Sequence, residues 1–407
     1  YTYEDIKTIA DHAHFAGNIR DNAHWGDRHT KTEVPVATDT DAAGGGHAHC
    51  GLCIYQGDNF PPEYRGEMIF GNLHGHRLVH DHAEPLGSSF TGQHRPDFLR
   101  SNDHWFIPIQ QKVGPDGALY VSDWSDKQVC HQGSGAIDMW DRSNGRIYRI
   151  SYDKVKPWKG DLSKLSDLEL AKLAVESKNV WFERMARRML MDRAAAIASF
   201  DRNAVNHLLL GVLEGKADLG HQLRALWLGH SLGLHGSSGF LRSLAPSQDQ
   251  WIRSWSTRFF ADLWTAYVRE RWSKSDKERS PISVVGFEPE KEDFELFKKL
   301  ANQDSSPLVR RELASLLQRL PLDKCSDIAT ALLSRKEDAD DPMIPLLIWY
   351  GIEPVVGADG VAGMKLAAAS KMDKVTGFIY RRLSSDEKGR VALLRAAADM
   401  PDAVQRE

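Results

Sequence analysis

Short apolar runs separated by turn signals dominate the first 150 residues. The predicted strands are Leu52–Tyr55, Met68–Phe70, Ile107–Val113, Ala118–Val121 and the alternating stretch 146–150. Turn-forming clusters such as Gly114-Pro115-Asp116-Gly117 lie between these runs. Short strands at this spacing are typical of a sandwich, a barrel or a propeller.

The hydrophobic period becomes helical after Tyr152. Ser166 and Glu169 have the spacing of a capping box, and Ser306-Pro307 and Asp341-Pro342 each place a capping side chain before a proline. One apolar stripe recurs in distant helices, at Trp181, Met185, Ala186 and Met189 and again at Val309, Leu313, Ala314 and Leu317. Such recurrence predicts an α-solenoid of the HEAT kind.

The two patterns divide the chain into residues 1–152, a linker at 153–160, and residues 161–407. A chain of 407 residues is too long for one ordinary domain, and its net charge of −4 gives no sign of a nucleic-acid partner. No stretch approaches the roughly 20 apolar residues that cross a bilayer. The start at Tyr1 indicates the interior of a longer protein, so localisation cannot be deduced from a signal peptide here.

Polar clusters occur at matching points of two successive strand-rich units. They are Gly44–His49, His74–Arg77, Asn102–Trp105 and Asp123–Asp126, the last followed by His131. If each unit is a four-stranded propeller blade, these segments are the link into the first strand and the link between the second and third strands. Both kinds of link open on one face, and loops on a rigid scaffold commonly carry function. We therefore predict one polar, histidine-rich face.

The pair Cys50 and Cys53 has C-x-x-C spacing at the edge of a predicted strand. Ile54 follows Cys53, whereas attachment of a c-type haem requires histidine at that position. Two histidines lie just upstream, so a zinc site is one interpretation. Two small buried thiols are the other, because side chains three apart on a strand point to opposite faces.

A series of motifs in the same order resembles a known family. The motifs include Gly44–Gly51, Asn72–Arg77, His94–Phe98, Asn102–Phe106, Asp123–Asp126, Cys130-His131 and, in the helical part, Trp181–Arg188 and Glu337–Pro342. They are similar to the membrane-bound dehydrogenases of bacteria, whose propeller resembles those of sorbosone and quinoprotein glucose dehydrogenases. The resemblance implies an incomplete β-propeller, about its last two to three blades, followed by a HEAT-like α-solenoid. It also implies a haem c segment outside this chain.

Residue types suggest roles in sugar or polyol oxidation. A histidine, His49 or His47, could act as the base, and Asp103 is a further catalytic candidate. The candidates for binding the cofactor are Arg77, Arg95, His76 and Trp105, and those for calcium are Asp123, Asp126 and His131. The resemblance implies pyrroloquinoline quinone (PQQ) and Ca²⁺ as the cofactors. Each residue also has a structural interpretation, such as a loop-bracing acid or a buried aromatic.

Two functions remain open. The first is a fragment of an extracytoplasmic, periplasmic or membrane-associated, quinoprotein-like dehydrogenase that passes electrons to a cytochrome c and docks a protein on its solenoid. The fragment alone is expected to be inactive, because a propeller site uses loops from all blades. The alternative is a non-catalytic propeller that binds a glycan or a protein, with the helical repeats as a scaffold.

Overall fold

The computed structural model describes most of the chain between His49 and Ala398. The described residues are 49–73, 76–103, 105–124, 143, 145–155, 157–196, 200–235, 237–263 and 290–398. Within them, two antiparallel sheets precede thirteen α-helices. The predicted order of strands and then helices is confirmed.

The first sheet has four strands in sequential order. They are β1 (His49–Ile54), β2 (Met68–Asn72), β3 (Arg77–Leu86) and β4 (Ser89–Arg100). β2 pairs antiparallel with both β1 and β3, so His49 lies opposite Asn72, and Asn72 opposite Arg77. The long strands β3 and β4 are absent from the predicted set. In β3, His80, Asp81 and His82 interrupt the apolar alternation.

The second sheet has three strands, again in sequential order. They are β5 (Pro108–Val113), β6 (Leu119–Asp123) and β7 (Ile147–Ile150). β6 pairs antiparallel with both neighbours, so Pro108 lies opposite Asp123 at one end of the sheet. This is the sheet that the Gly-Pro-Asp-Gly turn predicts.

One core joins the two sheets. It includes Tyr55, Ile69 and Leu78 from the first and Leu119 and Val121 from the second. The Tyr55 hydroxyl donates a hydrogen bond of 2.7 Å to the carbonyl of Gly117, which spans the sheets. Gly51 has φ +71°, and a Cβ there would collide with the Ile109 carbonyl. The close approach of β1 to β5 therefore requires glycine at this position.

The helices follow in close succession. They are α1 (Asp167–Glu176), α2 (Val180–Ala196), α3 (Arg202–Glu214), α4 (Leu219–Ser231), α5 (Ser238–Leu244), α6 (Gln250–Leu263), α7 (Lys291–Gln303), α8 (Pro307–Leu316), α9 (Leu322–Leu333), α10 (Ile344–Ala358), α11 (Gly360–Ala369), α12 (Asp373–Ser384) and α13 (Glu387–Ala398). No described helix is both long and apolar enough to cross a membrane.

The first helices pack with the sheets. The predicted capping box is present at α1, where Ser166 and Glu169 exchange hydrogen bonds. The Asn179 side chain donates to the Gly114 carbonyl at 3.0 Å, and Val180 lies in the core of the sheets. The described residues form two compact units. The first contains the residues up to Glu84 and those from Phe90 to Leu228, and the second contains Pro85–Ser89 and the residues from Gly229 onward. The change of secondary structure near Tyr152 therefore does not coincide with the boundary between compact units.

Alternate helices of the second unit stack in two rows. One row is α6, α8, α10 and α12, and the other is α7, α9, α11 and α13; successive helices also contact each other from α7 onwards. Two arginines make matching bidentate pairs along the first row. Arg253 binds Asp304 at 2.7 and 2.9 Å, and Arg310 binds Asp338 at 2.5 and 2.6 Å. These pairs fix loops against the row.

Two capping predictions differ from the structure. Ser306 is the N-cap residue of α8 and Pro307 is its first residue, but the Ser306 hydroxyl donates to the Gln250 side chain instead of capping. Contact with α6 therefore takes the hydroxyl that local sequence assigns to the helix end. The predicted start at Asp341-Pro342 also differs, because α10 begins at Ile344 and its N-cap residue is Met343. Asp341 lies two residues before that N-cap, and its Oδ1 accepts the amides of Met343 and Ile344.

Candidate functional site

The predicted loop residues meet at one end of the two sheets. We call this region the polar end and define it by His49, Asn72, His76, Arg77, Asp103, Trp105, Asp123 and Arg146. In the first sheet, β1 begins at His49, β2 ends at Asn72 and β3 begins at Arg77, so these residues lie at the same edge. The His49 ring packs edge-on against Phe70, with the ring centroids 5.0 Å apart.

Contacts across the sheets bring the second set of loops to the same place. His76 Nδ1 lies 3.0 Å from the Phe106 carbonyl oxygen, just before β5. His76 has φ +51°, a left-handed conformation that is uncommon outside glycine. Cys50 Sγ lies 3.5 Å from the Pro108 carbonyl oxygen. The predicted shared face of His49, His76, Asp103 and Asp126 agrees with this geometry for the first three residues, and Asp126 lies outside the described residues.

Arg146 is the centre of an ion-pair network at the polar end. Its Nε lies 2.8 Å from Asp123 Oδ2, and its Nη1 lies 3.4 Å from Asp103 Oδ2. Its Nη2 donates to the Trp105 carbonyl. The guanidinium therefore connects the loop before β5, the end of β6 and the start of β7.

The two carboxylates of this network also receive backbone amides. Asp123 Oδ1 accepts the amide of Ile107 at 2.6 Å, and Asp103 Oδ1 accepts the amide of Trp105 at 2.9 Å. Burial raises the pKa of Asp123, and the Ile107 amide and Arg146 act in the opposite direction. Both acids brace loops, as the structural interpretation of these residues anticipates.

Arg77 is buried in a second ion pair. Its Nη1 donates to Asp97 Oδ2 at 2.6 Å, and the two side chains are 0% and 4% exposed. A guanidinium with no exposed surface has no open side for an anionic cofactor. Arg95, the other predicted cation, is exposed on β4, an edge strand of the first sheet.

Tryptophans provide the exposed apolar surface of the polar end. Trp105 is half-buried, and its backbone is held by Asp103 and Arg146. Trp124 is 39% exposed and directly follows Asp123, and its amide donates to the Ile107 carbonyl at 3.0 Å. Both rings therefore rise from backbone that the ion-pair network fixes.

Cys50 and Cys53 of β1, together with the two histidines that precede them in the sequence, were candidates for zinc. Cys53 is buried and Cys50 is half-buried, and burial raises the pKa of both thiols. Raised values favour the protonated thiol, which is a poor metal ligand. No group of three or more metal-binding side chains occurs in the part of the chain that the structure describes. The buried-thiol interpretation fits this geometry.

Three predicted site residues lie outside the described residues: His47, Asp126 and His131. Of the predicted calcium ligands, the structure therefore describes only Asp123. One of its oxygens receives an amide and the other faces a guanidinium. A cation beside Arg146 would meet a like charge, so this carboxylate does not fit a calcium site as it stands.

Sequence reasoning missed Arg146 and Asp97. Arg146 follows the Asn144-Gly145 turn and precedes β7, a position equivalent to the other polar clusters and thus a usable signal. Asp97 lies within β4, and only the pairing of β3 with β4 shows that it meets Arg77. No local pattern distinguishes such a carboxylate from an exposed one.

Comparison with known proteins gives one family match. Residues 5–154 match the model of a domain of unknown function (DUF7133). No curated protein and no solved structure matches the chain. The matched stretch contains both sheets and every predicted site residue. These residues are thus part of one recognised domain, and the helices that follow lie outside it.

Proposed function

We propose that the two sheets are consecutive blades of a β-propeller and that the later helices form a HEAT-like α-solenoid. Each sheet is a sequential meander, and β1 and β2 of the first contact β5, the first strand of the second. Neighbouring propeller blades pack in this way. The two rows of alternate helices support the solenoid, since each helix pair of a solenoid contacts only its neighbours.

The function that the geometry supports best is recognition of a carbohydrate at the polar end. The observation that carries this proposal is exposed Trp124 on backbone fixed by the Asp123–Arg146 pair, with half-buried Trp105 joined to the same guanidinium. An indole offers a flat apolar face to the C–H groups of a sugar ring. Part-exposed Asp103 and Arg146 offer hydrogen bonds to hydroxyl groups beside it.

Binding is favoured over oxidation because the charged groups are already paired. Arg77 is buried against Asp97, and Asp123 is held by Arg146 and an amide. Neither is available for an anionic quinone or for Ca²⁺ without breaking an internal pair. In this proposal the solenoid serves as a scaffold that docks a partner protein.

A quinoprotein-like dehydrogenase is the second candidate. It is supported by the order of motifs that resemble that family and by half-buried His49 at the polar end, where a general base could lie. In that case the parent protein would be extracytoplasmic and would oxidise a sugar or polyol. Its PQQ, its Ca²⁺ and its cytochrome c acceptor would depend on residues beyond those described.

One set of experiments distinguishes carbohydrate recognition from quinoprotein-like oxidation. The 407-residue chain is screened on a glycan array, and hits are measured by calorimetry with Trp124→Ala and Trp158→Ala. The two side chains are matched, at 39% and 38% exposed, but Trp158 packs with Trp181 and Phe182 away from the polar end. We expect Trp124→Ala to weaken binding about tenfold or more and Trp158→Ala to leave it unchanged.

The same protein is then assayed with a panel of aldoses and polyols and an artificial electron acceptor, with and without PQQ and Ca²⁺. Substrate oxidation that requires the quinone would support the dehydrogenase in place of carbohydrate recognition. Equal loss of glycan binding in both tryptophan variants, or no glycan binding at all, would reject recognition at the polar end.

A further inference from the structure

The last described helix, α13, presents apolar side chains to solvent. Val391 is 41% exposed and Leu394 is 71% exposed. Its inner side contacts α11 and α12. Contiguous apolar surface that stays exposed often marks an interaction site. The apolar side chains of α13 thus point to an interaction surface.

A groove runs between α11 and α13 beside these residues. Its volume is about 750 Å³, and its lining includes Val361, Met364, Glu387, Val391 and Arg395. Val361 is itself 56% exposed, so the apolar surface continues from α13 onto α11. Grooves of this kind accept the apolar face of a helix.

Charges flank the apolar centre of α13 symmetrically. Glu387 precedes Val391 by four residues and Arg395 follows it by four, so all three lie on one face of the helix. All three line the groove, and both charged side chains are exposed. A rise of about 1.5 Å per residue places the two charges about 12 Å apart along the axis.

We propose that this surface binds a second copy of the chain, with the two α13 helices antiparallel about a twofold axis at Val391. Reversal of the helix direction brings Glu387 of each copy opposite Arg395 of the other, and Val391 opposite itself. The stem of Lys388 then covers Leu394 of the other copy. Two reciprocal ion pairs thus enclose the apolar contact.

The charge order argues for a second copy over an unrelated helix. An antiparallel partner needs a cation opposite Glu387 and an anion opposite Arg395 at the same spacing, and α13 itself meets that requirement. The contact is small, because a helix of 12 residues is about 18 Å long and stable interfaces bury about 1,200 Å² or more. The dimer is therefore weak and dependent on concentration.

Sedimentation equilibrium of the 407-residue protein over a range of concentrations tests this arrangement. We expect a monomer–dimer equilibrium in the wild type and an association constant lowered about tenfold or more in Glu387→Arg and in Arg395→Glu. In each single variant two like-charge contacts replace the ion pairs. Lys299→Glu on α7, which changes an exposed charge outside the groove, serves as the control and associates like the wild type.

Mixing the two single variants gives the decisive result. A heterodimer of Glu387→Arg with Arg395→Glu restores both ion pairs, so the mixture is expected to associate like the wild type. A variant that had misfolded could not regain association on mixing. A wild type that stays monomeric at all concentrations, single variants that associate normally, or a mixture that stays monomeric would each overturn the proposal.

Discussion

The guanidinium of Arg146 lies 2.8 Å from the carboxylate of Asp123, whose side chain is fully buried. This pair joins the end of β6 to the residue just before β7, and the same guanidinium reaches the backbone of Trp105. The acid that appears in the sequence as a metal ligand thus holds loops in place. The exposed groups left at the polar end are aromatic and hydrogen-bonding ones.

Arg146→Gln is expected to lower the opening free energy of the second sheet by about 2 kcal/mol at pH 7, because a buried carboxylate loses its counter-charge. Burial raises the pKa of Asp123 above its ordinary value of 3.8. The protonated Asp123 carboxyl therefore stabilises the folded state below pH 3.8. This stabilisation is lost as the pH rises through the folded-state pKa. Without Arg146 the pKa of Asp123 rises further, so the carboxyl is more fully protonated near pH 4 and needs no counter-charge there. The stability lost in Arg146→Gln is therefore smaller at pH 4 than at pH 7. Hydrogen exchange of the β5 and β6 amides measures this opening free energy at both pH values.

A double-mutant cycle tests the same ion pair. It adds the single variant Asp123→Asn and the double variant Asp123→Asn/Arg146→Gln to the Arg146→Gln variant. If the two side chains interact as described, the double variant costs less than the sum of the single ones. Strict additivity across pH 4 to 7 would show that the pair contributes nothing to the fold.

Arg77→Met and Arg95→Met separate a structural arginine from an exposed one. We expect Arg77→Met to cost about 3 to 5 kcal/mol, because Asp97 is left buried and charged. Arg95→Met is expected to change stability by less than about 0.5 kcal/mol. Urea denaturation followed by far-ultraviolet circular dichroism compares them. Similar midpoints for the two variants would contradict a buried Arg77–Asp97 pair.

Gly51→Ala tests the close approach of the two sheets. An added Cβ meets the Ile109 carbonyl, and the left-handed φ of +71° is strained for alanine, so we expect a cost of about 2 to 4 kcal/mol. Gly145→Ala is the matched control, since its Cβ would enter open space. Thermal melting of both variants measures the difference in stability. Equal melting midpoints for Gly51→Ala and Gly145→Ala would contradict the close approach of the sheets.

Asp304→Asn tests the arginine pairs of the second unit through pH. Burial opposes ionisation of Asp304, but hydrogen bonds from Arg253 and the Ser306 amide outweigh it and lower the pKa. The ionised Asp304 carboxylate therefore stabilises the folded state above pH 3.8, its ordinary pKa. This stabilisation is lost as the pH falls through the lower pKa of the folded state. The variant is therefore less stable than the wild type at pH 7, and the gap narrows below pH 4. Hydrogen exchange of α6 and α8 amides at both pH values follows this change, and a gap that stays constant would contradict it.

Local sequence signals were sufficient to predict several elements, among them β5, β6 and α1, and the convergence of the loops. Hairpin turns located β5 and β6, and Ser166 with Glu169 located the start of α1, because these signals depend on neighbouring residues. The same holds for the placement of His49, His76 and Asp103 at one end, which follows from alternating strand direction.

Residue roles at the polar end could not be predicted in the same way. Asp123, Asp103 and Arg77 each gain their partner from a distant segment, so composition alone cannot distinguish a ligand-binding charge from one that braces a loop. Strand β3 was missed for a related reason. Its polar residues His80 and His82 pair with Glu67, which directly precedes β2, and the sequence pattern does not show this pairing.

The most direct test of saccharide binding at the polar end is the hydrogen-exchange footprint of a saccharide identified on the array. Binding there predicts slowed exchange at the amides of Trp105, Phe106, Ile107 and Trp124, with no change in the helices from α6 onward. Protection confined to the helices, or an unchanged polar end under saturating saccharide, would contradict it.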